Sequence, residues 1–148
     1  NLYGPNDNFN LESSHVLAAL IRKFNDAKEN NTDSVTLWGD GSPYREFLHV
    51  HDLAEAAVFC MKEYDKGEII NIGTGEDIQI KSLSSLVSEI VGYSGKIIWD
   101  KTKPNGTHRK LLDNTKISSL GWKPKISLKD GIEDTYKWFI NNIEKVKL

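Results

Sequence analysis

The chain reads as a single α/β domain over residues 1–148, on three observations. Apolar residues recur at helical spacing in several stretches, clearest at Val16, Leu17, Leu20, Ile21 and Phe24. Short β-rich runs such as Val35-Thr36-Leu37-Trp38 and Lys96-Ile97-Ile98-Trp99 lie between those stretches. Gly, Pro, Asn and Asp clusters punctuate the joins, with no repeat, low-complexity tract or internal break. At 148 residues the chain is long enough to bury a real core. Charged residues at 27% and hydrophobic residues at 39% match a soluble globular protein.

Composition also excludes functions. Net charge is −2 and no basic block is present, which argues against general nucleic-acid binding. No apolar run approaches the length of a membrane span, and no signal peptide is visible. The single Cys60 rules out an internal disulfide and fits a reducing compartment, so a cytoplasmic location is expected. Cys60 lies mid-pattern between Phe59 and Met61, where a packed thiol is expected rather than a nucleophile. The chain begins at Asn1 without a Met, directly in a motif-like segment, and so reads as a piece of a longer protein.

The elements follow in order. Residues 1–14, with four Asn and several breakers, predict an irregular loop. Ser13 or Ser14 can cap a helix from His15 to about Glu29, which places His15 in its first turn. Lys23, at i+8, falls on roughly the same face as His15. A strand ends at Trp38, Gly39-Asp40-Gly41-Ser42-Pro43 supplies turn chemistry, and Phe47–Val50 forms a second apolar run. Asp52, with Glu55 three residues on, predicts the start of a helix to about Tyr64. Its buried side is expected to be Leu53, Ala56, Ala57, Phe59, Cys60 and Met61. Glu68–Ile72 reads as a buried strand ending in Gly73-Thr74-Gly75, which leaves room for a close backbone approach.

Ile78 and Ile80 predict a short strand, Ser82 a cap, and residues 83–91 a helix closed by Gly92. Lys96–Trp99 is a further strand. Residues 100–113 predict a mobile loop that concentrates Lys101, Lys103, Arg109 and Lys110 around Pro104-Asn105-Gly106. Asp113 can cap a helix from Thr115 to Leu120, and Ser127 caps the last helix, with Ile132, Tyr136, Phe139, Ile140 and Ile143.

Candidate chemistry centres on the turn between Trp38 and Arg45. An aromatic face near a guanidinium suits a flat ring carrying a phosphate, because Arg offers a bidentate fork to phosphate oxygens. Four cations on one loop would likewise suit a diphosphate. The structural alternative puts Trp38 in the core and pairs Arg45 with Glu46 or Asp52. His49 and His51 would alternate on one strand face; no Cys or acidic cluster accompanies them, so no metal site is expected. The Gly73-Thr74-Gly75 turn has neither Walker nor G-x-G-x-x-G spacing.

Several ordered motifs resemble the extended short-chain dehydrogenase/reductases of the NAD(P)-binding Rossmann-like superfamily. They are Asn1-Leu2-Tyr3-Gly4-Pro5, Arg45–Ala54, Asn71–Gly75 and Leu120-Gly121-Trp122-Lys123-Pro124. Asn1–Phe9, Ser14-His15-Val16, Val35–Arg45 and Lys103–Asp113 place it beside that family's bifunctional GDP-sugar epimerase/reductases. The resemblance runs over nearly the whole chain and implies its C-terminal, substrate-binding part. The N-terminal Rossmann half is lacking, since the chain has no G-x-x-G-x-x-G turn and no Tyr-x-x-x-Lys pair.

By that resemblance His15 is an acid/base, working with a cysteine in the other half and lying near the cofactor. Asn1 and Leu2 lie near the nicotinamide of NADP. Lys23, Trp38, Arg45, Lys103 and Arg109 line a GDP-sugar site. The whole enzyme, a homodimer, would epimerise a 4-keto sugar twice and then reduce it, while this chain alone would be inactive. The resemblance leaves open another nucleotide-sugar epimerase, dehydratase or reductase, and a non-catalytic binding module. Three positions depart from the pattern: Lys23 where Arg is common, Asn105 where Asp is common, and His51 where Asp is usual.

Overall fold

Among the described residues, five helices and seven short strands fold around a core set by the periodicities above. The structure is a computed structural model and describes residues 1–146. The elements are β1 (Leu2–Tyr3), α1 (Val16–Glu29), β2 (Ser34–Trp38), β3 (Tyr44–Glu46), β4 (Leu48–His49), α2 (Val50–Glu63), β5 (Asp77–Gln79), α3 (Ile80–Val91), β6 (Lys96–Asp100), β7 (Arg109–Lys110), α4 (Thr115–Ser119) and α5 (Leu128–Asn141).

β2 and β6 pair in parallel, with Val35 opposite Ile97 and Leu37 opposite Trp99. β1 and β4 form a second parallel pair, Tyr3 opposite His49. β3 is the centre of a third sheet, antiparallel to β5 and parallel to β7. The main core lies where α1, α3 and α5 meet β2 and β6, around Phe24, Ile21, Leu83, Val87, Ile132 and Phe139. A smaller cluster of Leu48, Ala56, Ile117 and Trp122 lies between α2 and α4.

Local chemistry agrees with several expectations. Ser127 caps α5 by accepting from the Asp130 amide at 3.1 Å. Gly92 closes α3 in a left-handed conformation, φ 76°. Asp113 accepts from the Thr115 amide, but the N-cap of α4 is Asn114 rather than Asp113.

Several expectations fail. α1 begins at Val16 with His15 as its N-cap, and no side chain caps it, so neither serine does so. α2 begins at Val50, capped by His49, and Asp52 is buried in its first turn, accepting from the Lys125 and Ile126 amides. α3 likewise starts two residues before Ser82, at Ile80. Glu68–Ile72 forms no strand among the described residues. A buried strand needs a ladder partner, and here Ile70 and Ile72 only rest on the smaller cluster while Ile69 is exposed.

α2 departs furthest. Of its expected buried side only Ala56 is buried; Leu53, Phe59 and Cys60 are half-buried, and Ala57 and Met61 are exposed. Beside it Ala54, Val58, Phe59 and Trp122 line an open groove of about 520 Å³. No helix of the described residues is long and apolar enough to cross a membrane.

Candidate functional site

Alternation along β2 decides where Trp38 goes. Val35 and Leu37 point into the core, so Trp38 points out, 66% exposed. The core reading of Trp38 is thereby overturned. The turn after it needs left-handed backbone at Gly39, φ 79°, and a side chain there would run into the Asn105 amide. Asn105 accepts from the Asp40 amide at 2.8 Å and so latches the 100–108 loop onto the turn. The latch holds Lys103 with its amine 5.6 Å above the Trp38 ring. Gly106, next in the loop, approaches the Arg45 guanidinium. Trp38 and Lys23 also line one small pocket of about 150 Å³ with Val16, Leu37, Ile80 and Trp99. Burial there lowers the Lys23 pKa.

Arg45 pairs with neither Glu46 nor Asp52. Its Nη1 donates to the Tyr44 carbonyl at 2.7 Å, and it borders an open pocket of about 480 Å³ shared with Phe47, Thr74, Ile78 and Lys125. Arg109 is not on a mobile loop: it lies on β7 beside β3, and its Nε donates to Asp77 at 2.5 Å. That bond, and the Asp77 charge, raise the Arg109 pKa further.

Glu46 was missed as a functional residue. It is 3% exposed, and its carboxylate accepts from the Gly75 amide at 2.7 Å, the Thr74 hydroxyl at 3.3 Å and the Leu112 amide at 3.1 Å. Gly73 lies so close that an added Cβ would meet that carboxylate at 2.5 Å. The close approach expected at Gly73-Thr74-Gly75 is thus made by the chain itself. No local signal marked it: Glu46 can be buried only because amides distant in sequence, at Gly75 and Leu112, supply its donors.

His15 is exposed at the mouth of α1, where its ring is free of cap bonds. Asp7 faces it from the preceding loop. Burial raises the Asp7 pKa, while the Asn8 amide and the His15 charge pull it back. Asn1 donates from both its amino group and its side-chain amide to the Glu46 carbonyl, and Leu2 stays exposed at the edge of β1. The structure therefore brings Lys23 and Lys103 to Trp38, while Arg45 nears the same loop at Gly106 but opens on a separate pocket. Arg109 is reached only through β7, and His15, Asn1 and Leu2 lie on the N-terminal segment.

The comparisons fit this arrangement. Residues 1–73 match the NAD dependent epimerase/dehydratase family. A putative GDP-L-fucose synthase 2 of Arabidopsis thaliana is 58% identical over 147 residues, 99% of this chain and 45% of that protein. Over nearly its whole length the chain is homologous to GDP-L-fucose synthases. It spans about half the length of the curated relatives it matches. The GDP-L-fucose synthetase of Naegleria fowleri bound to NADP superposes with a TM-score of 0.94 at 30% identity, covering 100% of this chain and 47% of that one. A UDP-glucose 4-epimerase of Thermotoga maritima with UDP-glucose reaches 0.84 at 29% identity over 97% and 44%. The α/β fold with parallel sheets is thus that of the NAD(P)-binding epimerase/reductases.

Proposed function

We propose that this chain is the C-terminal, GDP-sugar-binding half of a cytoplasmic, NADP-dependent epimerase/reductase of the GDP-L-fucose synthase type, a homodimer when whole. The observation that carries the reading is the outward Trp38 face, with Lys103 held above it, Lys23 beside it and Arg45 across the Asn105 latch. A purine ring can stack on the indole, displacing the lysine, while the cations receive the diphosphate. Arg109 braces that edge through Asp77 and joins the site as a further phosphate ligand.

In this reading His15 moves protons at the sugar. A 4-keto group acidifies the neighbouring C3 and C5 protons, so an imidazole at the mouth of α1 suffices to remove and return them. NADPH supplies hydride for the reduction. Asn1 and Leu2 fit only its nicotinamide end: β1 offers an exposed edge and the chain has no Gly-rich phosphate turn. The Ser and Tyr-x-x-x-Lys groups that reduction needs belong to the other half, so the chain alone consumes no NADPH. A free-standing binding module would cover its apolar surface, and the open α2 face argues for a partner half instead.

Tryptophan fluorescence titrated with GDP, UDP and ADP tests the site. A saturable response to GDP over the other two, abolished in Trp38→Phe and weakened about tenfold or more in Lys103→Ala, is expected. A stronger response to UDP overturns the GDP assignment, and silence to all three overturns the claim that this half carries the nucleotide by itself.

A further inference from the structure

We propose that His49, His51 and Asp134 form a binding site for a divalent transition-metal cation of the zinc class. Their ligand atoms all lie within 4.8 Å of one another. They come from three places: His49 ends β4, His51 lies in the first turn of α2, and Asp134 is on α5. The His49 side chain is 1% exposed, and its Nε2 is buried with no hydrogen-bond partner. That nitrogen faces the Asp134 carboxylate, with Oδ2 at 3.4 Å.

The separation is informative. It is long and poorly aligned for a hydrogen bond, yet it matches an edge of a zinc tetrahedron, about 3.4 Å for bonds of about 2.1 Å. A cation between Nε2 and Oδ2 would meet both at bonding distance without moving the buried ring. The His51 ring stands 5.0 Å from that of His49, at 72°, and is exposed, so it can swing to complete a set of two imidazoles and a carboxylate. The exposed side leaves a fourth position for water and a path of entry.

The buried member is held in place beforehand. Tyr3 packs edge-on against the His49 ring at 5.3 Å, and Gly131 gives the ring room, since a Cβ there would approach its Cδ2 to 3.1 Å. Rigid support of one ligand by packing is what a metal site requires. Binding at Nε2 leaves the ring proton on Nδ1. The long 3.4 Å contact from the His51 amide to Nδ1 is then given up, and that part-buried first-turn amide turns to water. A bound cation would tie β4 and the start of α2 to α5, and so stabilise the folded chain.

The test is a cobalt titration of the EDTA-stripped 148-residue chain, followed by visible absorption. Saturation at one equivalent with intense tetrahedral bands is expected, weakened about tenfold or more in both His51→Ala and Asp134→Asn. Zinc should raise Tm in the parent chain and not in either variant. Nitrogen NMR of the imidazoles supplies a readout independent of stability: His49 Nε2 should lose its proton and Nδ1 gain it as zinc is added. Absence of bands up to millimolar cobalt, or bands unchanged by both substitutions, overturns the site.

Discussion

α1 and α2 are both 14 residues long and both carry apolar residues at helical spacing, yet they end in opposite environments. α1 buries Leu17, Ala18, Leu20, Ile21, Phe24, Asn25 and Ala27 against α3, β2 and the rest of the main core. α2 buries only Asp52 and Ala56, and leaves Val58 and Met61 to solvent. Periodicity marks a face that wants cover, but says nothing of where the cover is. For α1 it is in this chain; for α2 the cover we propose is the other half of the protein.

The comparison can be broken by substitution. Phe24→Ala should cost about 3–5 kcal/mol in urea unfolding, since the ring is fully buried between α1 and Tyr93. A loss under about 1 kcal/mol would show the α1 core to be loose. Glu46→Ala should cost about 1–3 kcal/mol for each backbone amide it orphans, at Gly75 and Leu112. Faster hydrogen exchange confined to those two amides would confirm the cause.

A pH effect comes next. Burial, then His51, lowers the His49 pKa below 6.5, outweighing the pull of Asp134 and Asp52. The unfolded chain therefore binds the proton first. Stability should fall as pH drops through about 6.5 and level off below the folded pKa. Measured by Tm in EDTA, that slope should flatten in His49→Gln. The smallest effect belongs to α2: Met61→Lys should change unfolding free energy by less than about 0.5 kcal/mol. It should nonetheless reduce self-association of the chain in sedimentation, because the exposed apolar face is what would drive it. A large loss of stability would instead show that α2 packs within this chain.

The site divides in the same way as the helices. The turn chemistry of Gly39-Asp40-Gly41 follows from residue type and was legible; the outward position of Trp38 was not, since a core reading stayed open until β2 fixed the alternation. The Asn105 latch, the Glu46 clamp and Asp134 beside His49 and His51 were not, because each joins residues far apart in sequence. Arg109 shows the limit: composition placed it on a loose basic loop, whereas pairing of β7 with β3 and a bond to Asp77 fixed it on a strand.

Local chemistry alone determined α1, α3, α5 and the paired runs of β2 and β6, together with the family to which the motifs point. Apolar spacing, one serine cap and one glycine stop suffice there, since each acts within a few residues. Only tertiary structure decided that Glu68–Ile72 stays unpaired, that α2 keeps its apolar face open, and that Glu46 serves backbone rather than Arg45. Those outcomes depend on which distant group arrives as a partner, and a strand edge, a helix face or a buried carboxylate carries no record of its partner in its own sequence.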